Sequence, residues 1–120
     1  MNALGLDFGT KRIGVAIAVN GVIIPQTTQI NNPLIFDKFQ KIIDEYQLSV
    51  IYVGLSQGKI ANLTRDFIEQ LKTKVTIPIE TVDESVSTIE AQNYIAPGKK
   101  KYSHKIDGIA AAIILQRALI

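Results

Sequence analysis

The sequence contains no cysteine. A disulfide framework and a thiolate metal site are therefore excluded, and the composition suits a reducing cytoplasm. No Ser-His-Asp arrangement points to nucleophilic catalysis. The single histidine, His104, is more typical of a solvated loop residue than of a proton-transfer group. Any chemistry must therefore come from other side chains.

Long apolar runs are also missing. No apolar stretch reaches the roughly 18 residues of a membrane span, and Asp7 comes too early for a secretory signal. Internal repeats, linkers and low-complexity tracts are absent as well. We therefore expect one domain over residues 1–120, cytoplasmic and without membrane attachment. The formal charge of +2 permits a nucleic-acid partner without requiring one.

The chain does contain two apolar runs separated by a short polar segment, at residues 4–16, which is typical of a tight hairpin. Asp7 lies near the end of the first apolar run, and a Gly-Thr-Lys-Arg turn follows before the second. Strand alternation places Asp7 on the same face as Ala3 and Gly5. Because an unpaired carboxylate in so apolar a strand is costly, the pattern predicts a cation beside Asp7, most usefully a metal ion.

The remaining pattern predicts a mixed α/β fold. Strands are expected over residues 2–8, 12–19, 22–30, 50–55 and 75–82. Asn20-Gly21 is typical of a two-residue hairpin, and Pro25 places the third strand at a sheet edge. Right-handed crossovers favour a five-stranded sheet in the order 3-2-1-4-5, with strand 2 antiparallel and helices on both faces. Strand 1, which carries Asp7, is then central.

Helical periodicity fills the segments between and after these strands. Helices are expected at residues 33–46, after the loop at 56–59, at 87–95 and at 103–115. Asn32 is a cap followed by proline at the first helical position. The second helix is expected to turn these apolar side chains inward: Leu63, Phe67, Ile68 and Leu71.

Acidic residues fall at three places near one edge of this sheet. Asp7 ends strand 1, Asp83 and Glu84 end the fifth strand, and Asp107 lies in the first turn of the last helix. Because sites form beyond the carboxyl ends of parallel strands, these carboxylates are expected to meet around Mg²⁺ or Mn²⁺. The alternative is that they are solvated charges that complement helix dipoles, and spacing alone does not decide. Lys99, a residue of a basic loop at 99–101, would hold phosphates beside such a site, although basic runs are more often only solvated.

Four motifs resemble those of one known family. They are residues 5–16, Val53-Gly54-Leu55, Asp83-Glu84-x-x-Ser87-Thr88-x-x-Ala91 and Lys105-Ile106-Asp107-x-x-Ala110-Ala111. In this order, and over essentially the whole chain, they look like the YqgF/RuvX family. That family has an RNase H-like fold and is described as Holliday junction resolvases or as nucleases that mature the small-subunit ribosomal RNA precursor.

The resemblance implies a metal-dependent endonuclease with two Mg²⁺ or Mn²⁺ ions. Its catalytic residues would be Asp7, Asp83, Glu84 and Asp107, with Asp7, Glu84 and Asp107 as the favoured metal ligands. Strand alternation groups Asp83 with Ile77 and Ile79, so the choice within the Asp83-Glu84 pair stays open. Precursor ribosomal RNA or branched DNA, bound by a monomer or homodimer, would contact Thr10, Lys11, Arg12, Lys99, Lys100, Lys101 and Lys105.

Two departures from the family pattern keep other functions open. Ser85 stands where the family commonly has arginine, and Ser56 where it often has proline. The missing arginine removes a phosphate contact, so a non-catalytic nucleic-acid-binding or ribosome-assembly module is one alternative. The Asp-x-Gly-Thr-x-x-x-Gly pattern that begins at Asp7 also resembles the phosphate-binding hairpin of actin-like ATPases. Those enzymes clamp ATP between two lobes, and 120 residues supply one.

Overall fold

The computed structural model describes residues 2–83 and 108–120. Its elements in chain order are β1 (Ala3–Asp7), β2 (Arg12–Val19), β3 (Val22–Pro25), β4 (Gln29–Ile30), α1 (Ile35–Tyr46), β5 (Val50–Leu55), α2 (Lys59–Lys74), β6 (Ile79–Asp83) and α3 (Gly108–Leu119). The predicted helix at 87–95, the basic loop at 99–101 and the predicted start of the last helix at Ser103 lie outside the described residues. None of the helices in the described ranges has the length and hydrophobicity needed to cross a membrane.

The strands form one mixed sheet in the order β3-β2-β1-β5-β6, with β4 paired to β2. β2 runs antiparallel to β1, whereas β5 is parallel to both β1 and β6. Helix α1 leads from β4 into β5, and α2 forms the crossover between the parallel neighbours β5 and β6. The predicted order is therefore confirmed, with one short strand added, and β1 is central.

The predicted third strand at residues 22–30 is divided into β3 and β4. Pro25 pairs with Ala16 and Gln29 pairs with Ile13, so this segment uses one residue more than β2 between the two pairings. An extra residue on one strand is a bulge, which interrupts the ladder and bends the chain. Pro25, which has no N–H to donate, ends β3 at the edge of the sheet, as predicted.

Of two local signals in the first half of the chain, the Asn20-Gly21 turn forms as predicted, whereas Asn32 is not the helix cap, a position that Leu34 takes. Asn20 and Gly21 take positive φ angles of 53° and 83° in the turn between β2 and β3. The Asn32 side-chain oxygen accepts a hydrogen bond of 2.9 Å from the Leu34 N–H. Helix α1 then begins at Ile35, two residues after its predicted start, because the Asn32 turn precedes it.

Helix α2 buries a different set of side chains from the predicted one. Phe67, Ile68 and Leu71 are buried as expected, but Leu63 is 45% exposed. Thr64 is buried instead, and its hydroxyl donates a 2.8 Å hydrogen bond to the Ile60 carbonyl oxygen. A threonine that satisfies its hydroxyl within its own helix is accepted in the core, so the buried face is rotated away from Leu63.

Strand β6 is shorter than predicted at its beginning. The expected start was Val75, but helix α2 extends to Lys74 and the strand begins at Ile79. The Val75 N–H donates to the Leu71 carbonyl oxygen at 3.1 Å, which continues the helical hydrogen-bond pattern by one residue. Pro78 then contributes only its carbonyl oxygen, which accepts from the Ile51 N–H at 2.9 Å.

One face of the sheet carries bulky side chains and is covered by α1 and α2. The sheet contributes Leu4, Leu6, Ile13, Val15, Ile17, Ile51 and Val53 to this core, and the helices contribute Ile35, Phe39, Ile43, Phe67, Ile68 and Leu71. The Phe67 ring lies 5.1 Å from that of Phe8, 5.8 Å from that of Phe36 and 6.5 Å from that of Phe39, between centroids. Contacts of this kind make Phe67 the aromatic centre of the core.

The opposite face is covered by α3 and carries small side chains on β1 and β2, with Val50 and Tyr52 beside them on β5. Ala3, Ala16 and Ala18 pack there with residues of α3 that include Leu115. A Cβ atom at Gly5 would lie 2.5 Å from the Leu115 Cγ and 2.9 Å from a carbonyl oxygen of α3. Because these distances leave no room for a methyl group, α3 lies close to the backbone of β1.

Candidate active site

Asp7 is the last residue of the central strand and lies half-buried at its carboxyl end. It shares a face with Ala3 and Gly5, so its side chain lies on the α3 side of the sheet. On β2, the residue paired with Asp7 is Gly14. On β5, the neighbour of Asp7 is Gly54, because Leu6 pairs with Val53. The two positions directly beside Asp7 in the sheet are therefore glycines, and the next side chains on this face are Arg12 of β2 and Tyr52 of β5.

Asp83 ends β6 on the other face of the sheet. Asp83 pairs with Leu55 on β5. It follows Thr81 by two residues and Ile79 by four, and Ile79 packs against the core that α1 and α2 cover. One strand separates β6 from β1, and at about 4.8 Å per strand the two backbones are about 10 Å apart. Asp83 is exposed, and alternation sets it on the face opposite to Asp7.

The other predicted acidic residues, Glu84 and Asp107, lie outside the described residues, as do the loop at 99–101 and Lys105. Within residues 2–83 and 108–120, no three His, Cys, Asp or Glu side chains come together as a metal-binding group. The described part of the chain therefore contributes one central carboxylate, Asp7. A carboxylate oxygen is the kind of ligand that Mg²⁺ and Mn²⁺ take, so this residue fits the predicted metal.

Helix α3 begins on the Asp7 face, near the Asp7 end of the sheet. A Cβ atom at Gly108 would lie 2.8 Å from the Val15 carbonyl oxygen and 2.6 Å from that of Gln26. Val15 pairs with Leu6, the residue before Asp7. Helix α3 therefore begins beside the Leu6–Val15 pair, which is next to the Asp7–Gly14 pair.

The far end of α3 reaches the edge strand. Arg117 donates a 3.0 Å hydrogen bond from Nη1 to the backbone carbonyl oxygen of Asp83. The helix therefore extends across the sheet from β2 to the end of β6. This bond ties the last residue of β6 to the helix that covers the Asp7 face.

The basic turn residues stand beside Asp7, as the hairpin pattern predicted. Thr10, Lys11 and Arg12 are exposed between the end of β1 and the start of β2. Arg12 lies two residues before Gly14, the partner of Asp7, so its side chain lies on the Asp7 face. One cationic side chain and one carboxylate therefore share this end of the sheet.

Sequence reasoning missed Asn31, which joins this turn to the rest of the fold. Its side-chain Nδ2 donates to the Gly9 carbonyl oxygen at 2.9 Å, and its backbone N–H donates to the Lys11 carbonyl oxygen at 2.9 Å. The sequence carries no signal for this contact, because the bulge after Pro25 that brings β4 back to the start of β2 is seen only in the strand pairing. Asn31 follows β4 directly and so reaches the turn.

Comparison with known proteins identifies the family of this chain. The family model described as Holliday junction resolvase RuvX matches residues 1–120. A protein of Thermoanaerobacter pseudethanolicus, named as a proposed pre-16S rRNA nuclease, is 36% identical over 133 residues, covering 99% of this chain and 96% of that protein. A relative from Halothermothrix orenii with the same name is 37% identical over 133 residues, covering 97% and 92%.

A solved structure shares the fold. Thermus thermophilus RuvC in complex with a Holliday junction substrate matches with a TM-score of 0.59 at 11% identity, covering 98% of this chain and 96% of that one. At this identity the likeness concerns the fold alone, which is RNase H-like. The family match over the full length and the identity to the two relatives confirm the family expected from the motifs: this chain belongs to the RuvX family of nucleases.

Proposed function

We propose that this chain is a Mg²⁺- or Mn²⁺-dependent endonuclease that hydrolyses phosphodiester bonds in structured nucleic acid. The observation that carries the proposal is the position of Asp7. It ends the central strand, lies between two glycine neighbours, and shares its face with the start of α3 and with Arg12. A carboxylate at the carboxyl end of a central strand, with a basic side chain on the same face, is placed where a divalent cation could also meet a phosphate.

The proposed metal ligands are Asp7, Glu84 and Asp107. The register of Asp83, on the face opposite to Asp7, supports Glu84 as the ligand from that pair, because alternate residues of a strand face opposite sides. The contact of Gly108 with Val15 supports Asp107, since consecutive Cα atoms are only about 3.8 Å apart. When bound, two divalent ions would supply an activated water and stabilise the leaving oxygen.

The protein side chains would bind and orient the substrate. Arg12 and Lys11 would neutralise phosphates next to Asp7, and the Thr10 hydroxyl is a further hydrogen-bond donor in the same turn. The remaining proposed phosphate contacts are Lys99, Lys100, Lys101 and Lys105. Asp7 itself would hold the ions against the scissile phosphate, which is why a neutral residue there should stop the reaction.

Two substrates follow from the relatives, and we propose both for testing. The curated relatives are named for precursor 16S ribosomal RNA, and the solved neighbour is bound to a Holliday junction. A four-way junction is two-fold symmetric, so cutting it would favour a homodimer, whereas an RNA end can be processed by a monomer. Either substrate is consistent with action in the cytoplasm.

The test is a cleavage assay with labelled four-way DNA junctions and labelled precursor 16S ribosomal RNA. Each substrate is incubated with Mg²⁺, Mn²⁺ or EDTA and with the parent protein, Asp7→Asn or Asp66→Asn. Asp66 is exposed on α2 and serves as a matched loss of one carboxylate on the far face. We expect metal-dependent cleavage by the parent and by Asp66→Asn, and a loss of about a hundred- to a thousandfold or more in Asp7→Asn, because an essential electrostatic group is removed.

Two outcomes would overturn the proposal. Cleavage by Asp7→Asn at the parental rate would remove Asp7 from the site. Binding without cleavage under every metal condition would favour the non-catalytic module, and the variant Ser85→Arg would then test whether the missing arginine explains the lost activity.

A further inference from the structure

We propose that Asn31 is a positioning residue that holds the β1–β2 turn, residues 8–11, in the conformation that presents its basic side chains to nucleic acid. The inference rests on the proposed function. Asn31 is neutral, and both of its hydrogen bonds reach backbone carbonyl oxygens of the turn. Its effect on nucleic-acid binding would therefore pass through Thr10, Lys11 and Arg12. Asn31 lies in the connection between β4 and α1 and would not itself contact the nucleic acid.

Asn31 makes two hydrogen bonds to the turn, one from each of its donor groups. The carboxamide Nδ2 reaches the Gly9 carbonyl oxygen at 2.9 Å, and the backbone N–H reaches the Lys11 carbonyl oxygen at 2.9 Å. Asn31 is half-buried, so these bonds are partly shielded from competing water. Two attachment points separated by one residue fix the orientation of the turn as well as its position.

The residues before Asn31 hold it firmly against β2. The Gln26 N–H donates to the Val15 carbonyl oxygen at 2.8 Å, and β4 pairs Gln29 with Ile13 and Ile30 with Arg12. We call residues 26–31 the strap. Because the strap is paired at both ends, Asn31 is carried by the sheet and does not depend on the turn for its own position.

The two bonds also determine which backbone groups the turn presents. In a trans peptide the N–H points opposite to the C=O of the same plane, and the described chain has no cis peptide bond. With the Gly9 carbonyl directed at Asn31, the Thr10 N–H points away from the strap. The two carbonyl oxygens held by Asn31 are thereby kept from facing a phosphate, which they would repel.

The native conformation of the turn is tight, and it needs outside support to be kept. A Cβ atom at Gly9 would collide with the Arg12 carbonyl oxygen, so the chain folds tightly back on itself there. Lys11 ends the turn and Arg12 begins β2, so two like charges are adjacent along the chain there. Without the two bonds from Asn31, we expect the turn to sample several conformations, most of which do not present these side chains together.

The experiment compares three variants of the full chain. Asn31→Leu has nearly the shape of asparagine but cannot donate from its side chain, Asn31→Gln keeps a carboxamide on a longer stem, and Asn32→Ala is the control. Asn32 is the next residue and its variant also loses one side-chain hydrogen bond, but that bond comes from the Leu34 N–H in the turn before α1 and does not reach the β1–β2 turn. For each variant we measure Kd, KM and kcat with the cleaved substrate, the salt dependence of Kd, and backbone amide order by NMR.

We expect Asn31→Leu to raise Kd and KM about tenfold, the effect of one hydrogen bond, with kcat unchanged. Asn31→Gln should recover part of this loss, and Asn32→Ala should match the parent. The salt dependence should not change in Asn31→Leu, because no charge is removed. The amide order parameters of Thr10 and Lys11 should fall from about 0.85 to below about 0.6 in Asn31→Leu alone.

Unchanged order parameters and unchanged Kd in Asn31→Leu would overturn the inference, as would an equal loss in Asn32→Ala. If the parent protein neither binds nor cuts nucleic acid, the proposed function fails separately. The NMR comparison then still decides whether Asn31 fixes the turn, since it requires no substrate.

Discussion

The two faces of the central strand carry side chains of different size and polarity. On the α1 and α2 face, β1 presents Leu4 and Leu6 to a core with Phe67 at its aromatic centre. On the α3 face the same strand presents Ala3, Gly5 and then Asp7. Large side chains maximise buried apolar area, whereas small ones let a helix approach the backbone and leave space at the strand end. Stability is therefore expected to come mainly from one face and function from the other.

The largest stability effect that this comparison predicts is at the centre of the bulky face. Phe67→Ala should lower the free energy of unfolding by about 3–5 kcal/mol, because it removes a buried ring and leaves a cavity among three other phenylalanines. Urea denaturation followed by circular dichroism measures the change. Leu63→Ala on the same helix is the control, and as a 45% exposed residue it should change the free energy by less than about 0.5 kcal/mol.

Equal destabilisation by these two variants would contradict this comparison, since α2 would then bury Leu63 as well as Phe67. The comparison is sharpened if Phe67→Ala, assayed at a temperature where it is folded, keeps the parental kcat. A core variant with normal chemistry would separate the two faces directly.

A smaller effect on stability is expected at Gly5, where α3 packs closely against the backbone of β1. Gly5→Ala should cost about 1–3 kcal/mol of unfolding free energy, because the new methyl group would meet Leu115 and a carbonyl oxygen of α3. Denaturant melts of Gly5→Ala, Leu115→Ala and the double variant measure the coupling. The double variant should lose less than the two single losses together, since Leu115→Ala removes one of the colliding groups. Simple additivity would show that α3 does not lie on Gly5.

The smallest effect on stability, but a distinct effect on binding, is expected at the turn. Lys11→Ala should weaken nucleic-acid binding at low salt and reduce the slope of log K against log salt by about 1, because one phosphate contact is lost. Fluorescence anisotropy titrations from low to high salt give this slope. Lys41→Ala, an exposed lysine of α1 on the bulky side, should keep the parental slope. Equal slopes for both variants would place the nucleic acid elsewhere.

Most of the fold could be predicted from local pattern. The strand order, the hairpin at Asn20-Gly21 and the placement of Asp7 at the end of a central strand follow from periodicity, turn residues and crossover handedness. The errors occurred where tertiary contacts outweigh pattern. Leu63 has the right spacing for burial, yet Thr64 takes the buried position because its hydroxyl bonds to Ile60.

The sequence by itself determined the family, the order of the strands and the carboxylate around which a site is expected, because each depends on residue identity and short-range spacing. Only the tertiary structure decided the register that sets Asp83 opposite to Asp7 and the bulge that brings Asn31 to the turn. Register and bulge depend on how separate strands pair. A single inserted residue or a shift of one position reverses which side chains share a face, and no local pattern records that choice.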